Sequence, residues 1–130
     1  MGFKYSNRSL GNLKGIHPDL RKVADRAIEI SKVDFIITDG LRTLKEQREF
    51  VRKGASKTMK SRHLYGLAID FVAIVANKVT YKVSAMRTVS EAFKAAAREL
   101  GIEIEWGGDW KKFQDTPHIQ LSKKKYPDPK

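Results

Sequence analysis

Cysteine is absent from this chain of 130 residues. Its absence excludes disulfide bonds, metal sites built on thiolates and catalysis by a cysteine nucleophile. Long apolar runs are also absent: the longest, around residues 67–76, is interrupted by Asp70 and is too short to cross a bilayer. Residues 1–12 lack the apolar core that a signal peptide needs. We therefore expect synthesis in the cytoplasm.

Acidic residues are scarce relative to basic ones. The chain has 15 Asp and Glu against 26 Lys and Arg, which gives a formal net charge of +11. Such an excess favours an anionic partner: nucleic acid, an anionic membrane surface or an acidic polymer. Because the basic residues are spread along the whole chain, a well-solvated surface explains the excess equally well. The charge raises encounter rates and does not specify a chemistry.

The length fits one domain, 1–130, long enough to bury roughly two-thirds of its unfolded surface. Mixed helix and strand patterns with one hairpin predict an α+β fold with about three helices and a small, mainly antiparallel sheet. Helices are predicted from Pro18, from Leu41–Thr43 to Gly54, and over residues 85–100; strands at 35–38, 68–75, 102–106 and 118–121, with a hairpin return at 79–83. The ends are predicted as an extended lead-in, 1–15, and a basic tail, 122–130.

Histidine is scarce too, and two of the three histidines lie at the starts of the predicted strand regions around Asp70 and at 118–121. His63 leaves a loop as the chain enters the strand that carries Asp70, and His118 begins the last predicted strand. If these two strands pair, the three side chains converge. Two imidazoles and one carboxylate form a zinc ligand set that leaves the fourth tetrahedral position to water, which favours hydrolysis over a structural role.

Each of these residues also has a simpler interpretation. A single histidine is more often a surface or hydrogen-bonded residue than a ligand, and His17 suits a helix start. Asp70 is harder to explain without a partner, because a carboxylate in the apolar run LAIDFV is costly unless it is paired or metal-bound. With a metal present, Asp115 suits a proton acceptor and Arg42 suits a donor beside a developing oxyanion.

Three motifs together resemble a known family. They are Ser61-x-His63-x-x-Gly66-x-Ala68-x-Asp70, Trp106-Gly107-Gly108-Asp109-Trp110 and Asp115-x-x-His118, preceded by DGLRT with Arg42. The set resembles zinc peptidases of the D-alanyl-D-alanine carboxypeptidase type, and most closely the L-alanyl-D-glutamate endopeptidases used as phage endolysins and wall-remodelling enzymes. The resemblance covers residues 17–121 and implies the hedgehog/LAS-type metallopeptidase fold. It also implies cleavage of the L-Ala–D-Glu bond of peptidoglycan stem peptides.

The resemblance implies a role for each matching residue. His63, Asp70 and His118 match the family's ligands for one catalytic zinc ion. Asp115 matches the catalytic acidic residue, which accepts the proton of the attacking water. Arg42 matches the arginine that steadies the scissile carbonyl.

Three further matches concern the substrate. Ser61 is similar to a residue near the substrate, and Trp106 and Asp109 are expected to shape the cleft wall, although Trp106 suits the core equally well. Only the basic stretch 111–114 separates Trp110 from Asp115, and it lacks a calcium-ligand pattern, so no regulatory calcium is expected. The expected partners are stem peptides and an anionic envelope surface, without nucleic acid. The chain is expected to act as a monomer that reaches the periplasmic wall after holin-type release.

Two rival functions stay open at this stage. A D-Ala-D-Ala carboxypeptidase uses the same ligand set and differs in the bond that it cleaves. A basic nucleic-acid-binding domain would account for the charge, but the aromatic residues are not interleaved with the basic clusters. A zinc-binding relative without catalysis is disfavoured by the presence of Asp115 and Arg42.

Overall fold

The computed structural model describes residues 2–56 and 58–129; Met1, Lys57 and Lys130 lie outside the described residues. Helices and strands occur together in one domain, as the α+β prediction requires. The helices are α1 (Asn7–Leu13), α2 (Pro18–Ile30), α3 (Leu44–Arg52) and α4 (Val83–Leu100). The strands are β1 (Asp34–Asp39), β2 (Ala68–Val75), β3 (Lys78–Thr80), β4 (Ile104–Trp106) and β5 (His118–Leu121). Two 3₁₀ turns, Arg62–Tyr65 and Gly107–Asp109, precede β2 and follow β4.

The five strands form one sheet in which every pairing is antiparallel. The strand order is β1-β2-β5-β4, and β3 pairs with the far end of β2 as a hairpin. β2 is therefore the central strand. It is bordered by β1 on one side and by β5 and β3 on the other, so residues from distant parts of the sequence meet across it.

One face of the sheet packs against α2 and α4 and forms the core. The apolar residues of each helix recur at spacings of three and four, which places them on one side. Within β2, Ile69 and Phe71 are fully buried whereas Asp70 between them is partly exposed, because successive side chains point to opposite faces. No helix within the described ranges is both long enough and apolar enough to span a membrane.

The extended lead-in predicted over residues 1–15 is wrong for residues 7–13, which form α1. Ser6 caps this helix by accepting a hydrogen bond from the backbone N–H of Ser9 (3.1 Å). Ser9 is fully buried and its Oγ accepts from the N–H of Ile37 in β1 (3.0 Å), while Leu13 enters the core. The helix has only about two turns and little apolar periodicity, so tertiary contacts and its cap stabilise it rather than its composition.

The basic tail folds back onto the domain. Arg62 is buried, and its guanidinium donates to the carbonyl oxygens of Leu121 and Tyr126 and to Asp128 (2.8 Å). The hydroxyl of Tyr126 donates to Asp19 at the start of α2 (2.7 Å). Because Arg62 immediately precedes His63, these contacts fix the turn that carries the first site histidine.

Candidate metal centre

Sheet register brings the central side chains of the site into one row. Asp70 of β2 lies opposite His118 of β5 on one side and opposite Asp39 of β1 on the other. Directly opposite residues of an antiparallel pair have Cβ atoms about 4.5–5.5 Å apart, which is close enough for their side chains to share a ligand. Ile119 and Leu121 point from β5 into the core, so His118 faces away from it, as strand alternation predicts.

His63 reaches the same place from the 3₁₀ turn before β2. The Ser61 hydroxyl accepts from the His63 backbone N–H (3.2 Å), and Gly66 ends the turn with a positive φ of 70°. The Nδ1 of His63 lies 2.9 Å from the carbonyl oxygen of Gly40. Because a carbonyl only accepts, Nδ1 carries a proton, so in the neutral imidazole the lone pair is on Nε2, the atom that faces Asp70.

Gly40 is required at that position by a close approach of the backbone. A Cβ there would lie 1.9 Å from the carbonyl oxygen of Asn12, far inside any allowed contact. The loop after β1 therefore packs against the end of α1, and this contact holds the Gly40 carbonyl toward His63. The sequence motif DGLRT has a glycine here for this steric reason.

The three predicted ligands converge. One ligand atom from each of His63, Asp70 and His118 lies within 4.8 Å of the others. Oδ1 of Asp70 is 3.4 Å from Nε2 of His63 and 3.4 Å from Nδ1 of His118. A tetrahedral zinc ion with bonds of about 2.0–2.1 Å separates its ligand atoms by roughly 3.3 Å, so the arrangement fits zinc. Two imidazoles also favour zinc over calcium or magnesium, which prefer oxygen ligands.

Electrostatics keep the Asp70 carboxylate ionised. Burial disfavours its charged form, but hydrogen bonds and positive charge from His118 and His63 outweigh burial and hold the pKa of Asp70 well below its ordinary value. Burial also opposes protonation of His118, yet Asp70 outweighs it and raises the pKa of that imidazole. A divalent cation binds an ionised carboxylate and neutral imidazoles, and its binding releases any proton that the ligand nitrogens carry. The ionised Asp70 therefore suits a metal ligand.

Asp115 lies at the edge of this cluster, on the loop before β5. Its Oδ2 is 4.0 Å from Nδ1 of His118, and half of its side chain is exposed. Its backbone N–H donates to the carbonyl of Gly107 (3.0 Å), and a Cβ on Gly107 would lie 2.2 Å from the Asp115 carbonyl oxygen. Burial, and then the negative charge of Asp70, raise the pKa of Asp115, which suits a group that accepts and returns a proton.

Arg42 is buried beside the cluster and held by several partners. Its Nε donates to Asp39 (2.9 Å) and its Nη1 to Gln47 (2.7 Å), while Nη2 lies 3.6 Å from Oδ2 of Asp70. Its guanidinium carbon stands 4.0 Å from the centroid of the Phe50 ring. The positive charge of Arg42 is therefore fixed next to the site and contacts the second oxygen of a predicted metal ligand.

Comparison with known proteins agrees with this geometry. A sequence model of phage L-alanyl-D-glutamate peptidases matches residues 1–127. The L-alanyl-D-glutamate peptidase of Escherichia phage T5 is 38% identical over 114 residues, which cover 85% of this chain and 83% of that protein. The chain belongs to the phage L-alanyl-D-glutamate peptidase family.

Further relatives extend across phages and bacteria. The L-alanyl-D-glutamate peptidase of Listeria phage A118 is 37% identical over 126 residues, 94% of this chain, and the chain spans only 43% of that protein's length. The crystal structure of the Serratia marcescens L-Ala D-Glu endopeptidase ChiX has a TM-score of 0.88 with 45% identity, over 95% of this chain and 93% of that one. The fold of this L-alanyl-D-glutamate peptidase family member is thus the metallopeptidase fold that the motifs implied.

A cavity of about 690 Å³ opens onto the cluster in this family member. It is lined by the three ligand candidates and by Arg42, Asp115 and Ser61, so six of the eight site residues predicted from the sequence meet there. Its remaining wall includes Trp110, Glu105, Gln120, Phe113 and three lysines, Lys60, Lys112 and Lys123.

Trp106 and Asp109 are not among the residues that line the cavity, and their expected place in the cleft wall is corrected. Trp106 is 1% exposed, and its Nε1–H donates to the carbonyl of Thr116 (2.8 Å). It therefore belongs to the core and anchors the loop that carries Asp115. Asp109 pairs with Lys94 of α4 (2.6 Å). The tryptophan at the cavity is Trp110, whose ring centroid is 5.3 Å from that of His118.

We expect zinc binding by this family member to depend on His63 and not on His17. His63→Ala removes a ligand and should abolish stoichiometric zinc binding, measured by metal analysis after dialysis and by calorimetric titration. The control is His17→Ala. His17 caps α2 through its Nδ1, which accepts from the Asp19 N–H (3.0 Å), so its loss costs about 1 kcal/mol of folding free energy and leaves one zinc per chain. Equal zinc binding by both variants would contradict the assignment.

Proposed function

We propose that this chain is a zinc-dependent endopeptidase that hydrolyses the L-Ala–D-Glu bond of peptidoglycan stem peptides, in the manner of a phage endolysin. One observation carries the proposal. In a chain of this family, the ligand atoms of His63, Asp70 and His118 lie within 4.8 Å of one another, and the Asp115 carboxylate stands beside them at the cavity. The names of the relatives specify the bond.

The reaction adds water across an amide. A C–O bond forms at the carbonyl carbon of L-Ala, the C–N bond breaks, and the amine of D-Glu leaves with a proton. Zinc, when bound, supplies a Lewis acid that polarises the carbonyl and makes water a better nucleophile at neutral pH. Asp115, whose Oδ2 is 4.0 Å from Nδ1 of His118, would accept the proton of the attacking water and pass it to the leaving amine.

Arg42 provides fixed positive charge for the carbonyl oxygen as that oxygen becomes negative. Its contacts with Asp39 and Gln47 hold the guanidinium in place before substrate arrives, so little reorganisation is needed during the reaction. Asp39 and Asp70 on either side reduce the net charge of this group. We therefore assign Arg42 a stabilising role that is secondary to that of the metal.

The charge of the cavity matches an acidic peptide. Its lining has more cations than anions: Arg42, Lys60, Arg62, Lys112 and Lys123 against Asp70, Glu105 and Asp115. A glutamate residue brings two carboxyl groups, and the peptide chain uses at most one of them, so the substrate carries negative charge next to the scissile bond. We propose that the chain acts as a monomer. We place the reaction at the cell wall, reached from the host cytoplasm through a holin-type protein, with the remaining basic surface facing the anionic envelope.

The products of wall digestion test which bond is cleaved. Zinc-loaded chain incubated with purified peptidoglycan should release peptides that carry a new amino-terminal D-Glu, detected by labelling of new amines followed by hydrolysis and chiral analysis. A sample treated with chelator serves as the control and should yield none. Free D-Ala as the sole product would instead place the chain with the D-Ala-D-Ala carboxypeptidases.

Substitutions at the site should separate proton transfer from metal binding. Asp115→Ala keeps all three ligands, so it should retain zinc while kcat falls by about 10²–10⁴, the usual contribution of general acid–base catalysis. His118→Ala should lose both zinc and turnover. Asp25→Ala, which removes an exposed carboxylate of α2 that pairs with Arg21, is the control and should change neither. Near-full activity of Asp115→Ala would refute the base assignment.

A further inference from the structure

Gln120 lies next to the candidate metal site, and the proposed chemistry does not use it. It is two residues beyond His118 on β5 and therefore on the same face of the strand. Its side chain is 2% exposed, and its Oε1 lies 2.8 Å from Nε2 of His118. A neutral imidazole has one N–H, so a proton on Nε2 leaves the lone pair on Nδ1, the atom 3.4 Å from Asp70.

The orientation of the Gln120 amide is set by its neighbour on the next strand. Glu105 of β4 lies directly opposite Gln120 in the sheet. The Gln120 Nε2 donates to Oε1 of Glu105 (3.4 Å), and Oε2 of Glu105 accepts from the backbone N–H of Lys123 (3.0 Å). Because a carboxylate only accepts, the amide must turn its NH₂ toward Glu105 and its oxygen toward His118.

Each of the two site histidines thus has one ring nitrogen bonded to an oxygen acceptor, but the nitrogen concerned differs between them. His63 has its Nδ1 bonded to the Gly40 carbonyl and presents Nε2, whereas His118 has its Nε2 bonded to Gln120 and presents Nδ1. In both rings the nitrogen away from Asp70 faces an oxygen acceptor. Acceptors of this kind fix the tautomer and ring orientation of metal-binding histidines and raise their basicity.

We propose that Gln120, oriented by Glu105, is a positioning residue that holds His118 in the Nε2–H tautomer and so keeps Nδ1 available to the metal. The inference rests on the metal site of the proposed function. It assigns Gln120 no contact with the reacting atoms. Its consequence for the metal-free protein is independent of catalysis, because the tautomer of His118 is set by the hydrogen bonds of the chain itself.

The test begins with Gln120→Met, which keeps the length of the side chain and removes the strong acceptor. The ¹⁵N spectrum of histidine-labelled, metal-free protein reports the tautomer directly, provided that it is recorded at a pH high enough for the imidazole signals to stop changing, where all the rings are neutral. Wild type should show His118 as Nε2–H. In Gln120→Met the proton should shift toward Nδ1, where Asp70 accepts it, and the zinc dissociation constant should rise about 10- to 100-fold.

Two further variants separate positioning from a loss of packing. Ser122→Ala removes another buried hydrogen bond near the end of β5, from Ser122 Oγ to Glu103 (3.0 Å), and should leave tautomer and zinc affinity unchanged. The double exchange Gln120→Glu with Glu105→Gln again puts an acceptor against His118 and a donor beside it. The exchange should restore the Nε2–H tautomer and bring zinc affinity back to within a few-fold of wild type.

The outcomes distinguish this inference from the proposed function. An Nδ1–H tautomer in the wild-type protein, or an unchanged tautomer and zinc affinity in Gln120→Met, would overturn the role of Gln120 while leaving the endopeptidase proposal intact. Failure of the double exchange to restore the tautomer would also overturn it. If the wild-type chain binds no zinc while its His118 is Nε2–H, the metal site fails and the hydrogen-bond assignment stands.

Discussion

The antiparallel pairing of β2 with β5 is the constraint on which the rest of the site depends. Its register places Asp70 opposite His118, although the two residues are 48 positions apart in the chain. A shift by one residue would turn His118 toward the core and Ile119 toward the cavity, because side chains alternate along a strand. The buried Ile119 and Leu121 therefore orient the candidate ligand His118 and also hold the fold.

Other residues around Asp70 and His118 hold the site side chains in position and have no part in the proposed reaction. The Gly40 carbonyl orients His63, Trp106 anchors the loop of Asp115, and Gln120 with Glu105 faces the far nitrogen of His118. Each support comes from a different segment, so the geometry of the site is a property of the folded domain. A substitution at any of them should act on the ligands through position rather than through contact with substrate.

The sequence was informative wherever local periodicity or a short motif determines structure. Apolar spacing predicts α2 and α4 and alternation predicts β5, and the structure has these elements at Pro18–Ile30, Val83–Leu100 and His118–Leu121. α1 was missed because a cap and tertiary burial stabilise it rather than periodicity. Motif spacing left Trp106 open between the core and the cleft wall and placed Asp109 in that wall, because spacing does not say which way a side chain points. The burial of Trp106 and the ion pair of Asp109 with Lys94 place both side chains elsewhere. The alternation of Glu105 with Ile104 and Trp106 indicates that Glu105 points away from the core. Its pairing with Gln120 could not be predicted, because it depends on the register of β4 with β5.

We propose that a single zinc ion at the His63–Asp70–His118 cluster supports hydrolysis of peptidoglycan. Titration of the metal-free chain with zinc, followed by release of wall peptides at each step, tests this most directly. We predict that the rate of release rises in proportion to added zinc and levels off at one ion per chain. Release at the full rate by the metal-free chain, or no release at any zinc content in a folded chain, would contradict it.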